Sequence, residues 1–366
     1  MLEAVSMSVD GEIKQILLDR AVLVTGAAGF VGSHMVDKLL EYGACVHVFV
    51  RATSSGTHHN LSGVLDKITI HRGDLSDKRA VLGALVKVLE SGCRRPIIFH
   101  LGAQAHVGES WSRPYETLHV NLMGTVNLLQ SLVDLKADVY RVDVAGSSEE
   151  FGNVRDDVRH LYRYDEDGHL LLDECSPLNP QSIYATAKVG ADFATRNYHK
   201  AYGLPTIVTR MFNNYGPRQS PRFITGTIIS QALSRDDVRL GYMLSKRDFC
   251  YVSDGVMGHL HTTLFGTPGD VYVYGYGKNI TMLEWYELII RIGKEHGYWG
   301  DKILHADTEG RGRLGHSEVE ELLVDYSKLN KLTGWKPQYS WEQGISETIK
   351  WYAENRDKWV GRVDWR

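Results

Sequence analysis

Hydrophobic positions in the first half of this chain come in short unbroken runs, and the segments between them carry helical spacing. Runs at 21–25, 45–50, 68–70, 96–101 and 139–145 read as strands buried on both faces. The segments 31–42 and 78–90 read as helices, and 117–135 as one long helix. This alternation predicts an α/β fold, a Rossmann-type doubly wound parallel sheet with helices on both faces.

The rhythm breaks at 153–180, which is rich in Asp, Arg and His and ends in Pro177-Leu-Asn-Pro180. It reads as a surface loop with a short hairpin around Asp167-Gly168. A helix over 184–202 and a strand over 205–210 follow. Beyond Phe212 the pattern predicts a turn at Gly216-Pro217, a helix near 227–233, a strand at 271–274 and a helix at 282–296. The tail 325–366 reads as mostly helical, anchored by Trp335, Trp341 and Trp351. The expected division is a first unit over 1–210, rejoined by about 248–275, and a smaller, mainly C-terminal α/β unit over 211–366. The second unit is expected to close a cleft over the strand ends of the first, where such sheets bind ligands.

Composition narrows the partners. With 366 residues, 43% hydrophobic and 23% charged, the chain reads as an ordinary globular enzyme. A formal charge of −4 gives no reason to expect nucleic acid or an anionic membrane. Cys45, Cys93, Cys175 and Cys250 lie far apart, so neither a zinc site nor a disulfide framework is expected. Residues 1–20 lack the apolar core of a signal peptide, and no stretch reaches the length of a membrane span. A cytoplasmic location follows as the expectation. His58-His59 reads as part of an exposed polar loop beside Ser54, Ser55 and Gly56, and no metal is expected.

Thr25-Gly26-Ala27-Ala28-Gly29-Phe30-Val31-Gly32 lies between the first strand and the first helix. Gly26 permits the tight turn, Gly29 lets backbone amides approach a pyrophosphate, and Gly32 lets helix and strand pack closely. Phe30, Val31, Leu75, Leu101 and Ala103 are expected beside the same dinucleotide. No acid ends the second strand to accept a ribose hydroxyl. Arg51 stands there, followed by Ala52-Thr53-Ser54-Ser55, which suits the 2′-phosphate of NADP. NAD beside a solvated Arg51 is the competing reading. Asp74, after the third strand, is placed either to meet adenine or to cap its loop.

The next chemistry lies in Ser147-Ser148-Glu149 and Tyr184-Ala-Thr-Ala-Lys188. Tyr184 and Lys188, four apart on a helix, share one face. A free tyrosine titrates near 10, so a phenolate at pH ~7 needs roughly 4 kcal/mol of differential stabilisation. A nearby ammonium and a cationic nicotinamide both act in that direction.

On these residues the chain resembles the extended short-chain dehydrogenase/reductases that act on nucleotide sugars. The likeness spans about 21–351. His100-Leu-Gly-Ala-Gln-Ala-His106 and Asn121-Leu-Met-Gly-Thr125 resemble family motifs, and the latter's asparagine is structural. Arg210-Met-Phe-Asn-Asn-Tyr-Gly-Pro-Arg218, Arg247-Asp-Phe249 and Ser317-Glu-Val-Glu-Glu-Leu-Leu-Val-Asp325 resemble its substrate-side segments. The last string and Gln219-Ser-Pro221 are most similar to GDP-mannose 4,6-dehydratases and to dehydratases of the legionaminic acid pathway. There are departures. The loop after Gly152 is longer than is usual in the family. Arg313-Leu-Gly-His316 lacks the family's proline. Ser148 fills the slot of an Asp in dTDP-glucose 4,6-dehydratases.

The resemblance implies a nucleotide-sugar 4,6-dehydratase, with GDP-mannose as the expected substrate. Tyr184 takes the proton from the sugar O4 as C4 is oxidised, with Ser147 bonded to the same oxygen. The C5 proton is then acidic, and Glu149 removes it while water leaves from C6. Glu149 as a loop cap, in a 4-epimerase or 4-keto reductase, is the competing reading. Glu150 is expected to point the other way, without a role. Gln104 and Ser110 are expected near the sugar. Asn213, Asn214, Arg218, Arg247, Arg313 and Glu318 are expected near the nucleotide or its diphosphate, where a guanidinium fork suits phosphate. For the arginines, surface ion pairs compete. The resembled family also implies a homodimer or homotetramer through the 117–135 and 184–202 helices.

Overall fold

Seven parallel strands run through the molecule in the spatial order Val271–Tyr274, Thr206–Met211, Arg141–Ala145, Arg94–His100, Arg20–Thr25, Cys45–Arg51, Thr69–Gly73. The molecule is a computed structural model, and it describes residues 8–51, 59–306 and 317–360. The strand order reverses between Arg20–Thr25 and Arg94–His100, and a crevice opens there at the strands' C-terminal ends. All six residues of Arg20–Thr25 are buried, as a central strand covered on both faces requires.

Most of the expected elements are present, and the differences have physical causes. The 117–135 helix is three pieces: Pro114–Leu118, a π-turn at His119–Met123, and Gly124–Asp134. The bulge sits where Asn121 is pinned to the loop before it. Its Oδ1 accepts the Gln104 N–H (2.7 Å) and its Nδ2 donates to the Gln104 carbonyl (2.9 Å). An unexpected helix, Val9–Leu17, is capped by Ser8 and buries Ile13 and Leu17 under the sheet.

The stretch 153–180 does contain the hairpin, Arg163–Tyr164 against Leu170–Leu171. It is more than a surface loop. Tyr162, Leu170 and Leu172 are buried with Phe151, Phe212, Val319, Leu322 and Val324.

Past Phe212 the chain builds a smaller layer over the crevice. Lys246–Tyr251 pairs with Asn213–Tyr215 and Asn279–Thr281, and Asp237–Leu240 pairs with Ile303–Ala306. Helices Ile224–Ser234, Met282–Glu295 and Trp341–Glu354 pack around Trp285, which stacks on Phe249 at 4.2 Å. Helix Val252–Phe265 and strand Val271–Tyr274 return to the large sheet. Among the described residues no helix is long and apolar enough to cross a membrane. A large cleft of about 1380 Å³ opens between the sheet and the overlying layer.

Candidate active site

The floor of the cleft is the glycine loop. Gly26 has φ +68°, and a Cβ there would fall 2.7 Å from the Gly102 Cα. A Cβ on Gly32 would meet the Gly26 carbonyl oxygen at 2.3 Å, so only glycine lets the helix start so close to the strand. Helix Phe30–Glu41 begins at Gly29 with no side chain capping it. Its first-turn amides thus have no side-chain acceptor, and Gly29, Phe30, Val31 and Gly32 line the cleft. That donor set fits a pyrophosphate.

Leu75, Leu101 and Ala103 line the same cleft, as do Arg51 and Asp74. Asp74 does both things expected of it. It faces the cleft, and it caps its loop by accepting the Ser76 amide (2.9 Å) and hydroxyl (2.6 Å). Arg51 is half-exposed, with its Nε 3.9 Å from Asp74. The hydroxyls at 53–55 and His58 lie outside the described residues. Beneath the loop, His100 accepts from Thr25 Oγ1 (2.9 Å) and donates to Thr125 Oγ1 (3.1 Å), which itself donates to the Asn121 carbonyl. Burial pushes this imidazole down to about 3, so it is a neutral structural strut.

The catalytic turn follows strand Arg141–Ala145. Ser147 caps the short turn Ser148–Glu150 and accepts the Glu149 amide at 3.2 Å, while Glu150 Oε1 accepts the Ser147 amide at 2.7 Å. The same Ser147 hydroxyl is hydrogen-bonded to the Tyr184 hydroxyl. Ser147, Ser148, Glu149 and Tyr184 all line the cleft. Lys188, one turn beyond Tyr184, lies behind it. Its Nζ donates to the Ala145 carbonyl at 2.7 Å and sits 6.0 Å from the Tyr184 ring centroid.

Competing influences act on the Tyr184 phenol. Burial pushes the phenol up, and the charges of Glu149 and Glu150 add to that, against the Ser147 hydrogen bond. Burial also brings Lys188 down to about 8, opposed by Glu150 and Asp143. Tyr184 is therefore a protonated donor until a further positive charge reaches the cleft.

Glu150 does turn away from the cleft, but it has work to do. Wholly buried, it lies 3.3 Å from Arg210 Nε, and Arg210 is bonded to Asp192 at 2.9 Å. Asp192 in turn holds Arg196 at 2.6 Å. Arg210, expected on the substrate side, thus anchors the turn instead. The signal was available: an arginine inside an apolar strand and an aspartate on the buried face of a helix need each other.

On the substrate side, Asn213, Asn214, Arg218, Arg247 and Glu318 line the cleft. Arg247 pairs with Glu318 at 3.1 Å. Arg218, at φ +69°, reaches back to Asp37 of the glycine-loop helix at 2.7 Å, so its charge is already engaged. Gln104 and Ser110 are not in the cleft lining. Gln104 donates to the His106 carbonyl and Glu109, and the Ser110 hydroxyl donates to the Val107 carbonyl at 2.6 Å inside its own helix. Arg313 lies outside the described residues. Three buried carbonyl oxygens among the lining residues, on Asn213, Asn214 and Gln219, have no hydrogen-bond partner. Such orphaned acceptors suit a ligand rich in hydroxyl and amide donors. The sequence reading also missed a bridge at the cleft mouth, where Arg222 meets Glu109 at 2.9 Å and its carbonyl meets His106 Nε2 at 3.2 Å.

The chain is similar to known proteins over most of its length. The family model described as GDP-mannose 4,6 dehydratase matches residues 23–348. The chain is 30% identical to a dTDP-glucose 4,6-dehydratase of Actinoplanes sp., covering 93% of this chain and 99% of that one. Its structure is similar to that of the dTDP-glucose 4,6-dehydratase of Streptomyces venezuelae solved with NAD, at 28% identity and a TM-score of 0.77, covering 93% and 98% of the two chains. It is also similar to the UDP-glucose 4-epimerase of Thermus thermophilus in complex with NAD, at 27% identity and a TM-score of 0.75, covering 91% and 99%.

Proposed function

This chain belongs to the family described as GDP-mannose 4,6 dehydratase, among the nucleotide-sugar 4,6-dehydratases and epimerases, and from that premise we propose that it is a 4,6-dehydratase acting on GDP-mannose with NADP. The observation that carries the reading is a carboxylate, Glu149, opening into the same cleft wall as the Ser147–Tyr184 hydroxyl pair. A 4-epimerase or a 4-keto reductase needs only the hydroxyl pair. Elimination of water needs a base at C5 as well.

A bound dinucleotide would supply the oxidising and then the reducing equivalents, with no net change. Gly29 to Gly32 would hold its diphosphate at the helix start, and its positive charge would favour the phenolate of Tyr184. Tyr184 then accepts the proton of the sugar O4, with Ser147 hydrogen-bonded to the same oxygen. Glu149 removes the C5 proton, now α to a carbonyl. The same carboxyl delivers that proton to the hydroxyl leaving C6 as water, and the proton that Tyr184 took from O4 is the one returned to C5, so both side chains end as they began. Glu150 and Lys188 hold the turn and the strand end, so that these groups stay in register.

Ser148 supports a GDP-type substrate, because dTDP-glucose 4,6-dehydratases carry an Asp in that slot. The dTDP-glucose enzymes among the relatives support a second reading, dTDP-glucose itself. Arg51 at the end of the second strand supports NADP, against the NAD bound by the neighbouring structures. Incubation with GDP-, UDP-, CDP- and dTDP-hexoses, read by mass for loss of one water, tests the proposal. Isomerisation or reduction without water loss overturns it.

The same reading includes self-association through helix Ile183–Tyr202 and the neighbouring Pro114–Asp134 segment. They expose Tyr115, Met123, Phe193 and Tyr202. Sedimentation that returns a monomer at micromolar concentration overturns this part.

A further inference from the structure

Asn153 stands at the start of the long excursion, directly after the catalytic turn. Its side-chain amide is used at both ends on one distant strand of chain. Nδ2 donates to the Glu318 carbonyl at 2.8 Å, and Oδ1 accepts the Glu320 amide at 2.8 Å. Val319, between them, is fully buried. The base of the excursion is sewn to the catalytic turn. Asn179 N donates to the Glu150 carbonyl at 3.0 Å, and Asn179 Nδ2 donates to the Asn153 carbonyl at 2.8 Å. Its far end grips the same C-terminal segment. Leu172 forms a parallel bridge with Val324, and Arg163 spans Asp173 (2.9 Å) and Asp325 (2.7 Å).

We propose that the 153–180 excursion is a clasp that ties the catalytic turn to the segment 317–325, and that Asn153 is the positioning residue that sets Glu318 against Arg247 in the substrate side of the cleft. An amide that reads both neighbours of Val319 fixes the direction in which Glu318 leaves the backbone, which a single bond would not. Glu318 and Arg247, 3.1 Å apart, then present one wall to the nucleotide. The inference rests on the reading of this cleft as a nucleotide-sugar site.

The test compares wild type, Asn153→Ala, Glu318→Ala and the double variant, by steady-state turnover and by calorimetric binding of GDP and of the dinucleotide. Asn153→Ala is expected to raise KM and weaken GDP about ten-fold, while kcat moves less than KM and dinucleotide affinity holds. In the Glu318→Ala background the Asn153→Ala change is expected to add nothing, because it acts through Glu318. Additive effects on KM, or a fall in kcat with KM unchanged, overturn the proposal. Should Asn153→Ala fail to fold, Asn153→Asp keeps the acceptor for Glu320 but sets a carboxylate oxygen against the Glu318 carbonyl. A folded Asn153→Asp with wild-type KM overturns it equally. A wild type that neither binds GDP nor dehydrates any nucleotide sugar sinks the functional reading instead, and is distinguishable from all of these.

Discussion

Glu150 Oε1 accepts the backbone N–H of Ser147 at 2.7 Å, so a buried carboxyl with no access to substrate fixes the hydroxyl that bonds Tyr184. Burial raises this carboxyl to about 7, against the pull of Arg210. A folded value above the ordinary one of 4.5 means that Glu150 contributes stability at low pH and loses it as pH rises through about 7. Glu150→Gln keeps an acceptor for Ser147 and removes the titration. The stability of wild type relative to Glu150→Gln is expected to fall between pH 4.5 and 7, measured by urea unfolding at a series of pH values. A pH-independent difference would show that Glu150 is not buried as described.

The same charge acts on Lys188, which Glu150 and Asp143 hold up against burial. Without the Glu150 charge Lys188 is expected to lose its proton below about 8. The alkaline limb of the kcat/KM profile should therefore move to lower pH in Glu150→Gln. An unmoved or raised limb would mean that another group sets it.

Much of this was legible in the chain. The parallel sheet showed in unbroken apolar runs, and the glycine loop in its place between strand and helix. Ser147, Glu149, Tyr184 and Lys188 sit together as their motifs imply. What stayed hidden were contacts between segments distant in sequence. No local pattern ties Asn153 to Glu318, or Arg218 to Asp37. Gln104 and Ser110 looked like cleft residues because their motif flanks the cleft, but their polar groups are consumed by their own loop and helix. The π-turn at His119–Met123 is likewise a tertiary effect, set by Asn121 gripping Gln104, in a stretch whose periodicity alone reads as plain helix.

Glu149→Gln separates the two half-reactions. It preserves shape and leaves the Ser147–Tyr184 pair in place. Oxidation at C4 is expected to persist, seen as transient reduced dinucleotide, while water loss falls about 10²- to 10⁴-fold, the usual worth of a positioned acid–base group. Rapid-mixing absorbance and product mass spectra read both. Dehydration at the wild-type rate would remove Glu149 from the mechanism.

Arg51→Glu tests the dinucleotide. A carboxylate at the end of the second strand can accept the two ribose hydroxyls and repels a 2′-phosphate. The ratio of Kd for NADP to Kd for NAD is expected to rise at least about ten-fold, with most of the change in NADP. A wild type that already prefers NAD, or a ratio that does not move, would remove Arg51 from dinucleotide selection.

Gly152→Ala tests whether the turn and the clasp are one rigid body. Gly152 sits at φ +58°, and a Cβ there would fall 1.7 Å from the Asn179 carbonyl oxygen. The left-handed conformation alone costs an alanine about 1–2 kcal/mol. The clash adds to that, because Asn179 is held by Glu150 and Asn153 and has nowhere to go. Gly168 is the matched control: φ is +83°, and nothing lies within 4 Å of its Cβ. Gly168→Ala should therefore lose only the conformational part and keep full turnover. Gly152→Ala should lose more stability than Gly168→Ala and most of its turnover, yet still bind the dinucleotide, whose loop rests on another strand. Equal losses in the two variants would mean that Asn179 yields, and that the excursion is not locked to the catalytic turn.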